Sequence, residues 1–483
     1  MPERRAIPLI LSVCPRPRPR PGQTSAPQIH EHPLSKKKPL PETPIAADIE
    51  SLTHDGRGLT HVEGKAVFVH GALPGERVRF RYTRLQKRYD EGTVTEVLVA
   101  SPQRVAPRCP HFGVCGGCSL QHMEATAQIG MKQDILRDVL ARMGKVVPET
   151  WLPPLAAGHW GYRRKARLGA KWVQKKGRVL VGFRERSAAF ITDLTRCETL
   201  HPVVGERLSA ISELIQGLSI RDQIPQVEVA MGDGPCVLIF RVLSPPSAAD
   251  LGLFQAFAAA DRLHVYLQDG GPETIRPLPG QGVALGFDLP SHRVHLDFEP
   301  TDFTQVNLEL NRLMVDQALD LLDPKQEDRV LDLFCGLGNF TLPLARRAGQ
   351  VVGVEGDAGL VERARANARR NGIPNAEFLT ADLYREPAAG VPPAPWGTGV
   401  FDKALLDPPR SGAWQVLDLL PAAGVRRLVY VSCYPSTLAR DADHLVHTLG
   451  YRLVAAGAMD MFPQTAHVES MALFELPRRK PTL

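Results

Sequence analysis

The sequence predicts a multidomain protein: a small all-β unit, a mostly-β middle part and a C-terminal doubly wound α/β domain. Three observations carry this. The chain has 483 residues, too many for one hydrophobic core. From residue 46 to about 300, short strand-like runs are separated by turn residues. From about 301 the pattern changes to apolar strands alternating with helical stretches, a βαβ signature.

Composition excludes several classes. Hydrophobic residues make up 43% and charged residues 23%, ordinary for a soluble globular protein. No apolar run reaches the length needed to span a bilayer. The run Ile7 to Val13, followed by Cys14, imitates an export or lipid-anchor signal. Pro15 to Pro21 then alternate proline with arginine where a small-residue cleavage site would stand. The expected compartment is therefore the reducing cytoplasm, and the expected state a monomer. Eight cysteines are too few for a disulfide scaffold, so clustered ones should be metal ligands or nucleophiles. Residues 1–45 hold eight Lys/Arg and three Asp/Glu, so they account for most of the net charge of +6. A nucleic-acid reading must then rest on local patches.

Residues 1–45 contain eleven of the 42 prolines and the run Lys36-Lys37-Lys38. Such a segment cannot bury a core and reads as a disordered arm, a dispensable extension rather than a sequence-blind RNA tether.

Residues 46–103 read as the all-β unit. Ala66–Val69, Arg77–Tyr82 and Gly92–Leu98 are strands, and Ala72–Glu76 is a turn. The second strand alternates arginine with Val78, Phe80 and Tyr82, which predicts one basic face and one buried face. A basic face suits a phosphate backbone, with Tyr82 and Tyr89 available to stack on bases. Gly56-x-Gly58, Gly64-Lys65-x-Val67-Phe68-Val69, Ala72-Leu73-Pro74-Gly75-Glu76 and Ser101-Pro102-x-Arg104-x-x-Pro107 resemble a TRAM domain. That is a small OB-like barrel found on RNA-modifying enzymes, so the resemblance implies RNA contact.

Residues 104–300 form the middle part. Ile129, Ile135, Leu136, Val139, Leu140 and Met143 recur at helical spacing and predict a helix that only packs. Strands and hairpins follow from residue 160. Arg163 to Arg186 holds ten Lys/Arg against Glu185 alone, the strongest basic patch outside the arm. Cys109, Cys115 and Cys118 form C-x5-C-x2-C, with Gly113, Gly116 and Gly117 between them, and Cys197 is a distant fourth. Four thiolates can hold zinc or an iron–sulfur cluster. A close trio with one distant partner fits a cluster better than two zinc knuckles. On spacing alone, zinc and unligated thiols stay open.

Residues 301–483 carry the α/β pattern. Val330–Phe334 is a strand, Cys335-Gly336-Leu337-Gly338-Asn339 a glycine turn, and Phe340–Arg347 a helix. Strand, glycine turn and helix open a nucleotide-binding sheet. Val351–Val354 ends in Glu355, nineteen residues after Gly336, suited to two ribose hydroxyls. Phe378–Asp382 ends in an acid suited to the adenine side. Lys403–Leu406 leads into Asp407-Pro408-Pro409-Arg410, and Leu428–Val431 into Ser432-Cys433. The ordered set falls at carboxyl ends of successive strands, where open α/β sheets bind ligands. A nicotinamide dehydrogenase would share the first two elements but would not explain Asp-Pro-Pro-Arg or the cysteine.

Phe303-x-Gln305-x-Asn307, Asp332-Leu333-Phe334-Cys335-Gly336-x-Gly338-Asn339, Gly353-Val354-Glu355, Asp407-Pro408-Pro409-Arg410, Val431-Ser432-Cys433 and His467-Val468-Glu469 resemble the RNA uracil-C5 methyltransferases. The order TRAM domain, four cysteines, methyltransferase domain resembles the branch acting on uracil 1939 of 23S rRNA. The resemblance implies a Rossmann-like class I methyltransferase fold and rRNA processing. It implies S-adenosyl-L-methionine held by Gln305, Phe334, Asn339, Glu355, Asp382 and Asp407. It implies Phe303 stacking on the target base, with Asp407 also touching the uracil. It implies a [4Fe-4S] cluster on Cys109, Cys115, Cys118 and Cys197. Cys433 would be the nucleophile and Glu469 the base that removes the C5 proton. A thiolate is the reactive form, so Cys433 is expected in a setting that lowers its pKa. The usual residue after that cysteine is Asn, and this chain has Tyr434. The same chemistry on another rRNA or tRNA uridine, or a non-catalytic RNA-binding factor with this fold, are the alternatives.

Overall fold

A computed structural model describes residues 39–384, 396 and 399–477. The arm's first 38 residues lie outside this range. Six strands form the N-terminal sheet: Ile45–Asp48, Ser51–Leu52, Gly58–Val62, Lys65–His70, Arg77–Leu85 and Tyr89–Val99. The first three are not among the strands expected from the sequence. On Arg77–Leu85 the alternation is as expected: the arginines are exposed, and Val78 and Phe80 are buried. The same alternation overturns the expectation for Tyr82. It falls on the inner face, 8% exposed, edge-on to Phe80 at 5.2 Å, so it cannot stack on a base. The TRAM-like motif is internal bracing. Buried Glu76 accepts hydrogen bonds from Arg104 and from the Leu73 and Ser101 amides. Burial pushes its pKa up, but Arg104 and the amides outweigh this and hold it below the usual range.

The helix Ala125–Arg142 leads into a second six-stranded sheet, Lys165–Val173, Arg178–Gly182, Gln226–Met231, Cys236–Arg241, His264–Gln268 and Arg276–Pro277. Two helices not read from the sequence accompany this sheet. Leu208–Gly217 buries Leu208, Ile211, Leu214 and Ile215. Ala248–Asp261 opens on a capping box of Ser247 and Asp250. The basic run 163–186 is also less open than its sequence suggests. Arg167 pairs with Glu228, and Lys176 and Arg178 with Asp193. Arg164, Lys165 and Arg186 donate to the carbonyls of Gly232, Asp302 and Cys118. Acids and carbonyls from elements distant in sequence neutralise cations that looked unopposed along the chain.

The third sheet has eight strands. In spatial order they are Ala376–Thr380, Gln350–Glu355, Arg329–Leu333, Lys403–Leu406, Arg427–Ser432, Glu469–Glu475, Arg452–Met459 and Thr150–Trp151. The first five run parallel, and Glu469–Glu475 is antiparallel to both of its neighbours. Their near-continuous apolar sequence follows from burial on both faces. One apolar core joins Val237 and Ile239 of the second sheet, the hairpin residues Phe287 and Leu296, and Leu310 and Met314 of helix Leu308–Leu322 to this sheet. Among the described residues no helix is long and apolar enough to cross a membrane.

Candidate active site

The glycine turn lies where the sequence places it. Phe334 leaves the first strand with φ +65°, a left-handed conformation costly for an aromatic residue. The Phe334 and Cys335 amides donate to the Val354 carbonyl at 2.9 and 3.1 Å and hold it there. Gly338, at φ +97°, occupies a conformation open mainly to glycine. Glu355 reaches back to the turn, accepting from the Gly336 amide at 3.2 Å with one oxygen and from Gly356 and Asp357 with the other. The Asn339 amide is committed to a reciprocal pair with Asn311, both bonds 2.9 Å. The exposed Asp382 accepts from the Tyr384 amide. The Phe334 ring stands 5.7 Å from that of Tyr384, whose hydroxyl accepts from Ser411. Gln305 is half-buried and Phe303 is 69% exposed. Asn307 is a helix cap, its side chain accepting from the Leu310 amide. Beneath the turn, buried Asp332 accepts from Thr341 at 2.5 Å, and burial pushes its pKa up to about 8.

At the other end of the site, ladder register does the positioning. Ser432 pairs with Ser470 at the end of the ladder, so Cys433 and Glu469 each adjoin a paired residue, and they lie within electrostatic reach of one another. Leu406 pairs with Tyr430 on the other side of the same strand, which brings Asp407 alongside. Arg410 lies within electrostatic reach of both Cys433 and Glu469. The expected low pKa of Cys433 is not what the structure shows. Burial first, then the Glu469 and Asp407 carboxylates, push the thiol up to about 11, with Arg410 opposing. A strand end is polar, but here its nearest charges are negative. Burial raises Glu469 to about 8, with Asp407 adding to the rise and Arg410 and Lys132 opposing it. Burial raises Asp407 to about 7.

Three residues in this site had no role in the sequence reading. Arg410 stood inside a quoted motif. Tyr384 follows a strand-end acid. Lys132, on a helix expected only to pack, gave no signal, because its neighbours lie far along the chain.

Cys109, Cys115, Cys118 and Cys197 line one cavity. Gly116 is needed there, since a Cβ would stand 2.9 Å from the Arg184 carbonyl. The Gly117 amide donates to the Cys115 sulfur at 3.4 Å. Burial raises Cys109 and Cys115 and pushes Cys118 up to about 12, with charge on Cys197 adding to each. Arg186 stands close enough to Cys115 and Cys118 to counter thiolate charge. Among the described residues no group of three or more His, Cys, Asp or Glu converges as ligands of a single metal ion.

A doubly wound sheet with a glycine turn, and a thiol beside carboxylates at its strand ends, is the architecture of a Rossmann-type methyltransferase domain. Residues 286–476 match the family described as tRNA (Uracil-5-)-methyltransferase, and residues 45–95 match the TRAM domain. The 23S rRNA (uracil(1939)-C(5))-methyltransferase RlmD of Methylococcus capsulatus is 54% identical over 91% of this chain and 99% of its own length. The enzyme of the same name from Alkalilimnicola ehrlichii is 56% identical over 91% and 98%. The crystal structure of Pyrococcus abyssi tRNA (uracil-54, C5)-methyltransferase in complex with S-adenosyl-L-homocysteine superposes with TM-score 0.67. It covers 89% of this chain and 100% of its own at 24% identity, a likeness of fold. The chain belongs to the RNA uracil-C5 methyltransferase family.

Proposed function

We propose that the protein methylates C5 of uracil 1939 in 23S rRNA. The proximity of Cys433 and Glu469, with Asp407 and Arg410 within electrostatic reach, carries this reading. C5 of uracil is a poor nucleophile. The Cys433 thiol gives its proton to solvent, its sulfur adds to C6, and the C5=C6 electron pair moves toward C5 and O4. S-adenosyl-L-methionine, when bound, would supply the methyl group that C5 accepts and leave as S-adenosyl-L-homocysteine. Glu469 then takes the C5 proton, the double bond re-forms, and the C6–S bond breaks to free Cys433. With a pKa near 8, Glu469 is a stronger base than an exposed carboxylate and is still partly ionised at neutral pH.

Glu355 and Asp382, at ends of adjacent strands, would take the ribose and adenine sides of the cofactor. Gln305, Phe334, Asn339 and Asp407 would complete its site. The Asn339 side-chain amide is engaged by Asn311, so its backbone is the free part. Exposed Phe303 would stack on the flipped uridine, at an unstacking cost of about a few kcal/mol. Asp407 would also bond the uracil edge. Arg81, Arg84, Lys87 and Arg88 offer the N-terminal sheet's grip on RNA.

The four-cysteine cavity suits a [4Fe-4S] cluster. The donors are all soft thiols, an amide donates to one sulfur, and Arg186 balances charge. Cys109, Cys115, Cys118 and Cys197 would hold it, and it would brace the middle part of the chain. The expected setting is a cytoplasmic monomer.

The test is incubation with labelled S-adenosyl-L-methionine and unmodified 23S rRNA, with tRNA in parallel, followed by mapping of the labelled nucleotide. Label at uracil 1939 supports the reading. Label confined to tRNA, or to another rRNA uridine, moves the substrate. No label from well-folded protein points to a binding factor.

A further inference from the structure

Helix Ala125–Arg142 carries a lysine with no exposed side-chain surface. Lys132 Nζ donates to Asp460 Oδ1 at 2.5 Å and to the Phe462 carbonyl at 3.1 Å. A fully buried ammonium persists only when paired and hydrogen-bonded. Both acceptors belong to the loop 460–468, which joins strand Arg452–Met459 to strand Glu469–Glu475 and so delivers Glu469 to the site. The loop is tied down elsewhere too. Gln128 donates to the Gln464 side chain at 3.1 Å and accepts from the Gln464 amide at 2.9 Å. Tyr162 donates to the Pro463 carbonyl. Gln464 itself sits at φ +68°, a conformation that neighbours must enforce. Of these ties, only that of Lys132 brings a charge.

We propose that Lys132, paired with Asp460, is a positioning residue for the proton-removing carboxylate: it pins the loop that presents Glu469 and sets a buried positive charge within its electrostatic reach. The inference rests on reading Glu469 as the base.

The groups facing Glu469 are Asp407, Cys433, Arg410 and Lys132. Those facing Lys132 are Asp460 and Glu469. His467, on the same loop, feels Arg410, Lys132 and Arg163. Asp407 disfavours the charged form of Glu469, and the two cations favour it. Arg410 is exposed and open to screening by solvent and salt, whereas Lys132 is enclosed and is screened little. Removing the Lys132 charge therefore raises the pH at which Glu469 gives up its proton.

The experiment compares two readouts in Lys132→Met/Asp460→Leu, Lys132→Arg and Asp460→Asn. The first is turnover on unmodified RNA against pH, whose acid limb reports ionisation of the base. The second is covalent adduct formation with 5-fluorouracil-substituted RNA, which has no C5 proton to remove and so bypasses the base. The double variant, which leaves no orphan charge, is expected to form the adduct at the wild-type rate. Its turnover should be reduced, with the acid limb moved up by about one pH unit. Lys132→Arg keeps the charge and should keep the wild-type limb. Asp460→Asn leaves Lys132 unpaired, burial then strips its proton, and the limb should again move up, so this variant carries the test alone if the double variant does not fold. Adduct and turnover falling together, or limbs that stay in place, would overturn the proposal. Undiminished turnover by Glu469→Gln would instead sink the reading of Glu469 as base, whatever the Lys132 variants do.

Discussion

Cys433 and Glu469 each adjoin the last ladder pair, Ser432–Ser470, and lie within electrostatic reach of one another. The antiparallel pairing of strand Glu469–Glu475 with strand Arg427–Ser432 brings the thiol and the carboxylate to the same end of the sheet.

Separating the two roles is the first consequence. Glu469→Gln should lower turnover about a hundredfold or more yet still form the covalent RNA adduct. Denaturing gel electrophoresis of enzyme with substrate RNA should show the adduct accumulating. Turnover at the wild-type rate would contradict the assignment.

The thiol makes its own prediction. With burial and two carboxylates pushing Cys433 up to about 11, it is protonated in the free protein at neutral pH. Its alkylation by iodoacetamide, followed by peptide mass spectrometry, should stay slow at pH 7 and quicken only well above pH 9. Asp407→Asn removes one negative neighbour and should shift that rise to lower pH.

Stability should depend on pH through the same acids. Glu469 has a folded pKa of about 8, above the unfolded value of about 4.3. Between these values the folded protein holds a proton that the unfolded chain releases, so stability falls as pH rises through that window. Glu469→Gln removes this penalty and should raise Tm at pH 8 by about 2 °C or more, with little change at pH 5. A lower Tm at pH 8 would contradict the linkage.

Phe303 offers a cleaner separation of binding from chemistry. It is exposed and has a stacking role in the proposal. Phe303→Ala should cost about 1–3 kcal/mol of RNA affinity, seen as a raised KM for RNA, with S-adenosyl-L-methionine binding unchanged by calorimetry.

The cysteine cavity is tested by composition. Protein purified without air should contain iron and acid-labile sulfide and absorb broadly in the visible. Cys118→Ser should lose both. Stoichiometric zinc in their place would overturn the cluster.

Much of this was legible in the sequence because the α/β strands are apolar runs with their functional residues just past their ends. Cys433, Glu355 and Asp407 could be placed that way without coordinates. The pKa of Cys433 could not, since it depends first on burial and then on Glu469, which lies 36 residues on in the chain. Tyr82 was misread because its residue type suggests stacking, whereas the alternation sets it on the buried face with Val78 and Phe80. The basic run 163–186 looked open because Glu228 and Asp193 are opposed to it only in the folded sheet. Lys132 was invisible for the same reason: its partner Asp460 is 328 residues further along the chain.

The central claim is covalent attack by Cys433 on the uracil of its RNA. It is tested most directly by incubating the protein with S-adenosyl-L-methionine and 5-fluorouracil-substituted 23S rRNA, then digesting the denaturation-stable complex for mass spectrometry. The account predicts a methylated 5-fluorouridine nucleotide attached to the peptide containing Cys433, and no complex from Cys433→Ala. A nucleotide on another residue, or methyl transfer by Cys433→Ala at the wild-type rate, would contradict it.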